Sequence, residues 1–239
     1  MNTEALAPKP TPAGDANPTS DLQDLPQSAG PLEHDSPIFL VGMMGAGKTT
    51  IGKALARVLQ REFIDLDHEL EARCGVRIPV IFEIEGEQGF RKRECQVLDD
   101  CTVRPNLVMA TGGGAVLAED NRRALQSRGI VIYLRASVDE LFRRTSRDRN
   151  RPLLATPDPK ATLRSLLEMR EPLYASVADV VVDTGTTPVH NLVASIVEQL
   201  RLINKAIDKS AQSRPGNSSA SMRADFAASH TEENKPCTP

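Results

Sequence analysis

Five short apolar runs punctuate the middle of the chain: "IFLVG" (38–42), "FIDLD" (63–67), "LVMAT" (107–111), "IVIYL" (130–134) and "DVVVD" (179–183). Four are almost continuously apolar, which suits strands covered on both faces in a parallel sheet. Between and after them, apolar residues recur at helical spacing and predict helices over 48–60, 86–101, 119–127, 137–147, 160–170 and 189–205. Alternation of this kind predicts a three-layer α/β/α domain with a five-stranded parallel sheet and right-handed crossovers. In open sheets of this type, ligands bind beyond the carboxyl ends of the strands. The polar motifs of this chain fall there.

The two ends read differently. Residues 1–36 and the adjoining Pro37 hold seven of the 17 prolines, spaced by small and polar residues with no apolar run. The segment from 207 to 239 is again small and polar. Both are expected to be disordered extensions, leaving 37–206 as one domain large enough to bury a core. No run approaches the length of a membrane span. The start lacks arginine and carries Glu4, Asp15, Asp21 and Asp24, which argues against an organellar transit peptide and for a cytoplasmic protein. The four cysteines, Cys74, Cys95, Cys101 and Cys237, form no CxxC pair and read as reduced thiols. A net charge of −3 gives no whole-molecule attraction to nucleic acid. The few aromatic residues offer no stacking platform for bases.

"GMMGAGKTT" (42–50) directly follows the first strand and opens a helix, and it fits G-x-x-x-x-G-K-[ST]. Phosphate oxygens need several N–H donors converging on one point, which a glycine-rich turn before a helix N-terminus supplies. Gly45, Ala46, Gly47, Lys48, Thr49 and Thr50 are therefore candidate nucleotide contacts. Lys48 is placed to reach the β- and γ-phosphates, and the Thr49 hydroxyl to ligate Mg²⁺. In "FIDLDHEL", Asp65 and Asp67 stand two apart in a predicted strand, so they are expected side by side on one face. Carboxylates that close repel and raise each other's pKa unless a cation, a hydrogen-bonding ligand or solvent intervenes.

Three consecutive glycines, Gly112, Gly113 and Gly114, end the third strand. They forfeit side-chain packing and backbone entropy, a cost that close approach of backbone to a ligand explains. Taken alone, Arg91 in "FRKRE" reads as a solvated helix charge paired with Glu94 at i+3. Arg151 in "NRPLL" lies in a charged, proline-rich stretch that reads by itself as a basic surface loop.

Taken in order, "GMMGAGKTT", "DLD", "FRKRE", "ATGGGAV" and the pair "NRPLL" and "REPLY" resemble the shikimate kinases, from about Ile38 to Asp183. The resemblance implies a P-loop NTPase fold of the nucleoside-monophosphate-kinase type. It also implies transfer of the γ-phosphoryl group of ATP to the 3-hydroxyl of shikimate, on the route to chorismate and the aromatic amino acids. Arg91 and Arg170 then match the carboxylate-binding arginines, and a guanidinium grips a carboxylate through two parallel N–H···O bonds. The glycine run would meet the substrate, Gly113 through its N–H. Residues 148–159 would form a lid that brings Arg151 to the transferring phosphoryl, the work of an arginine finger. Lys48, Asp67 and Arg151 would be the catalytic residues, Asp67 orienting the hydroxyl, with or without taking its proton. Thr49 and Asp65 would hold Mg²⁺, Asp65 through water. The implied partners are shikimate and ATP, without nucleic acid or membrane, in a monomer. Another small-metabolite kinase of the same fold, such as a gluconate kinase, shares the P-loop but need not share the other motifs. A nucleotide-binding regulatory module would retain the P-loop without turnover.

Overall fold

The computed structural model describes residues 35–146, 152–154 and 156–212. Five strands, β1 (Ile38–Val41), β2 (Glu62–Asp65), β3 (Leu107–Ala110), β4 (Ile130–Arg135) and β5 (Val180–Asp183), form one sheet in the order β2-β3-β1-β4-β5. Every pairing is parallel, with Leu40 opposite both Ala110 and Ile132 in the centre. The expected five-stranded α/β architecture is therefore the observed one. Side chains of β1 and β3 are buried along their whole length, as a two-face cover requires.

Among the described residues six α-helices connect the strands, α1 (Lys48–Leu59), α2 (Leu66–Cys74), α3 (Ile78–Thr102), α4 (Glu119–Arg128), α5 (Val138–Thr145) and α6 (Pro159–Val177), and α7 (Val189–Gln212) follows β5. The crossover from β1 to β2 runs one way across the sheet and all later crossovers run the other way. A constant right hand therefore puts α1 on one face and α3, α4 and α6 on the opposite one. The packing agrees: α7 returns onto α1, while α4 touches both α3 and α6. One apolar core fills both interfaces, with Phe39, Leu40, Leu55, Leu98, Leu134 and Ile196 fully enclosed. Each such side chain contributes roughly 1.5–3 kcal/mol by leaving water.

The elements differ from expectation in several places, among them α6, which is expected to end at 170 and runs to Val177. The run "FIDLD" stops being a strand at Asp65, whose side chain caps α2 by accepting the Asp67 N–H at 3.2 Å. Asp67 therefore lies in the first turn of a helix, and the strand argument that placed the two acids on one face does not hold. The helix expected from 86 begins at Ile78 and bends at Gly86, where φ is 68° and ψ −175°. The last helix passes 206 and runs to Gln212.

At the other end, Asp35 and Ser36 are tied to the residues that precede β3 and β2. The Asn106 N–H donates to the Asp35 carbonyl at 2.8 Å, and Arg61 donates to the Ser36 carbonyl at 2.6 Å. The remainder of the predicted extensions, 1–34 and 213–239, lies outside the described residues. Among the described residues no helix is long and apolar enough to cross a membrane.

Candidate active site

The loops after β1 and β3 are neighbours because their strands are. Thr111, just past β3, donates to the Leu40 carbonyl from both its N–H, at 3.1 Å, and its hydroxyl, at 3.0 Å. Gly42 begins the P-loop at φ +140°, and a Cβ there would stand 2.5 Å from the Leu134 carbonyl oxygen. Only glycine lets the chain turn there and still lie against β4. Lys48 folds back over the loop, donating to the Gly42 carbonyl at 2.8 Å and the Met43 carbonyl at 3.0 Å. The Thr49 hydroxyl donates to Asp65 Oδ2 at 2.7 Å. Both oxygens of Asp65 are thus engaged, one by Thr49 and one by the Asp67 N–H. A helix N-terminus is where two acids are best accommodated, because the free N–H groups and the helix dipole favour negative charge.

Two cavities open on this end of the sheet. One, about 930 Å³ counted to its open mouth, is lined by Gly45, Gly47, Lys48, Thr49, Thr50, Asp65, Thr111 and Arg144. The second, about 730 Å³ on the same count, is lined by Arg91, Glu94, Gly112, Gly114 and Arg170, with Ile78, Pro79, Phe82 and Phe90 as an apolar wall. Met44, Asp67 and Gly113 line both. The structure therefore brings together, from β2, α1, α2, α3, α6 and two loops, most of the residues singled out in the sequence. Ala46 stands apart: it is fully buried, and its N–H donates to the Met43 carbonyl at 3.1 Å. Arg151 and residues 148–150 lie outside the described residues. From the expected lid, Leu153 reaches the second cavity.

The sequence reading of Arg91 as a solvated charge gives way to a buried pair. Its Nη1 donates to Glu94 Oε2 at 2.7 Å, and Glu94 is 1% exposed. On the other edge, Nη2 donates to Glu87 at 3.0 Å. Burial works against the Arg91 cation, but Glu94 and Glu87 outweigh it and hold its pKa up. Burial pushes the Glu94 carboxyl above its ordinary range in spite of Arg91, and Asp67 adds to the rise. The glycine run fits between these groups. A Cβ on Gly112 would collide with Glu94 Oε1, and one on Gly114 would collide with the Arg91 guanidinium. The absence of side chains at 112 and 114 therefore has a packing cause within the protein.

Arg170, 3% exposed, donates to the Gly113 carbonyl at 3.3 Å, and its Nε has no hydrogen-bond partner among the described residues. Buried unpartnered N–H groups are uncommon. A guanidinium on a cavity wall with an unpartnered N–H suits an anionic ligand.

Two side chains at these cavities escaped sequence reasoning. Arg144 donates to the carbonyls of Gly45 at 3.3 Å and Gly185 at 2.5 Å, pinning the P-loop to the turn after β5. It lies in an arginine-rich run with nothing to set it apart. Glu94 was visible only as a helical partner of Arg91; its burial depends on the approach of the glycine turn.

A P-loop at the mouth of a parallel sheet, facing a cation-lined cavity across a shared wall, defines a P-loop small-molecule kinase. The family model for shikimate kinase matches residues 44–201, and the chain belongs to that family. It is 66% identical to the shikimate kinase of Bordetella pertussis over 198 residues, 83% of this chain and 93% of the relative. It is 58% identical to that of Burkholderia lata over 165 residues, 69% of this chain and 90% of the relative. Among solved structures, the shikimate kinase of Acinetobacter baumannii in complex with shikimate aligns with a TM-score of 0.69 at 51% identity, covering 71% of this chain and 94% of the other. A gluconokinase from Sinorhizobium meliloti, at 16% identity and a TM-score of 0.51, shares the fold alone.

Proposed function

We propose that this chain transfers the γ-phosphoryl group of ATP to the 3-hydroxyl of shikimate, giving shikimate 3-phosphate and ADP. The observation that carries the reading is the wall common to the two cavities. ATP, held at the P-loop, and a small carboxylate, held in the arginine-lined cavity, would meet across Asp67 and Gly113. In the reaction the 3-oxygen bonds to the γ-phosphorus as the bridge to the β-phosphate breaks. The hydroxyl proton leaves toward Asp67 or solvent.

Lys48 and the N–H groups of the P-loop balance the charge on the transferring group, and Arg151 joins them from the lid. Arg91 and Arg170 grip the carboxylate, Gly112, Gly113 and Gly114 bring backbone to the ring, and Asp67 orients the hydroxyl. Thr49 and Asp65 present hard oxygen donors beside the P-loop cavity. That sparse pair suits Mg²⁺, which keeps several waters and takes phosphate oxygens as further ligands. When bound, Mg²⁺ neutralises charge on the phosphates. The protein is taken as a monomer. The domain is taken as 37–206, with the extensions outside it, and the location as cytoplasmic.

A coupled ADP-release assay with shikimate and gluconate side by side tests the assignment. Turnover with shikimate and none above background with gluconate is expected. The reverse preference would sink the proposal, and no turnover with either would favour a regulatory nucleotide-binding module. Sedimentation velocity on the full chain tests the monomer.

A further inference from the structure

The glycine turn is held from behind by a tyrosine to which the reading above gives no role. Arg170 and Tyr174 stand four residues apart on α6, hence on one face of the helix. Both donate to a single acceptor, the Gly113 carbonyl, Tyr174 from its hydroxyl at 2.5 Å and Arg170 from Nη1 at 3.3 Å. A tyrosine hydroxyl has one proton to give. The other acceptor within its reach, Met43 Sδ at 3.5 Å, is a weak one. Tyr174 is fully buried, and its ring stacks on that of Tyr133 with centroids 5.2 Å apart and planes inclined by 24°. The stack sets the position of the hydroxyl independently of anything in the cavity. Burial raises the Tyr174 pKa against the opposing Arg170 guanidinium, which also hydrogen-bonds the hydroxyl oxygen, so the group remains a protonated donor at neutral pH.

Because the peptide unit is planar, anchoring the Gly113 carbonyl fixes the whole Gly113–Gly114 plane. The carbonyl has Tyr174 as its closer donor and Arg170 as its more distant one. Arg170 therefore keeps a free edge, its Nε without a partner among the described residues. Were the tyrosine oxygen absent, the carbonyl would depend on Arg170 alone, and the guanidinium would close on it at the expense of that edge.

We propose that Tyr174 is a positioning residue for the acceptor substrate: as principal donor to the Gly113 carbonyl, it keeps the glycine turn in place and the Arg170 fork open for a carboxylate. The proposal rests on the reading of Arg170 as a carboxylate grip, and the test separates the two. Tyr174→Phe in the full chain removes one oxygen and keeps the ring. The KM for shikimate is expected to rise about tenfold while that for ATP changes by less than about twofold, as loss of one buried hydrogen bond implies. Combined with Arg170→Ala, the tyrosine substitution adds much less than it does alone, since it acts through that guanidinium. Additive losses overturn the proposal, as does an unchanged shikimate KM in Tyr174→Phe while Arg170→Ala raises it. An unchanged KM in Arg170→Ala brings down the underlying reading instead, and the proposal with it. Tyr133→Phe, which removes a buried hydroxyl without a partner among the described residues, leaves both KM values as they were.

A second measurement is independent of catalysis. The chain has two tyrosines, so 3-fluorotyrosine in the Tyr133→Phe background reports on Tyr174 alone. Shikimate shifts the ¹⁹F resonance and gluconate does not. A resonance unmoved by saturating shikimate refutes the coupling.

Discussion

The two cavities that meet at Asp67 are built by different means. The P-loop cavity takes six of its eleven lining residues from one stretch, Met44 to Thr50. Its donors converge because the local backbone turns and then starts a helix. The second cavity gathers single side chains from α2, α3, α6 and the glycine turn. Its cations are aimed by other protein groups, Arg91 by the Glu94 and Glu87 carboxylates and Arg170 by a backbone carbonyl. A site of the first kind carries its phosphate donors in its own stretch and takes outside support at a few points, Arg144 among them. A site of the second kind depends on residues that need not touch a ligand.

The comparison breaks most visibly at the shared wall. Asp67→Asn is expected to lower kcat by about 10²–10⁴-fold, the usual worth of a positioned acid or base. ATP affinity, measured by equilibrium titration, should stay close to that of the parent. A collapse of ATP affinity would assign Asp67 to the P-loop cavity instead.

The next effect is confined to the second cavity. Arg170→Ala should raise the KM for shikimate by roughly 10–100-fold, in line with the loss of charged hydrogen bonds, and leave the ATP KM near its parent value. Equal effects on both substrates count against separate cavities. Gly114→Ala tests the same cavity without touching a charge. The added methyl must displace the Arg91 guanidinium, so the shikimate KM should rise by about tenfold, together with a lower Tm. A variant with parental kinetics would show that Arg91 is not held where it is needed.

A smaller effect reads the buried pair. Burial lifts the Glu94 carboxyl above the ordinary 4.5. The folded chain then keeps a proton that the unfolded chain has already released, so stability declines as pH rises from 4.5 through the raised value. Glu94→Gln removes that slope, and the Tm difference, variant minus parent, should climb with pH across this window. A flat difference would mean that Glu94 titrates as it does in the unfolded chain. The smallest effect lies away from both cavities. Arg135 and Asp183 form an exposed pair at 2.6 Å on the edge of the sheet. Arg135→Gln should shift Tm by no more than about 4 °C and leave both KM values alone. A change in either KM would extend the second cavity's dependence on distant residues to the sheet edge.

Much of this was legible in the chain itself. Continuous apolar runs mark parallel strands because both faces are covered, so the five strands were found with small errors at their ends. The P-loop was legible because phosphate binding there is a property of contiguous backbone, and glycine spacing records that backbone directly. The glycine run was legible as a place of close approach, although its tightest neighbours proved to be Glu94 and Arg91. Less legible was the pair Asp65 and Asp67. Period-two spacing describes a strand, and nothing local signalled that Asp65 would cap a helix and carry Asp67 into its first turn.

The sequence by itself determined the fold class, the phosphate cradle and the set of charged residues available to a small acidic substrate. Each of these follows from local periodicity or from residues adjacent in the chain. Only the tertiary structure decided that Glu94 is buried against the glycine turn, that Arg144 pins the P-loop, and that Tyr174 shares the Gly113 carbonyl with Arg170. Those contacts join segments tens of residues apart. Their energies depend on exclusion of water, which no short stretch of sequence records.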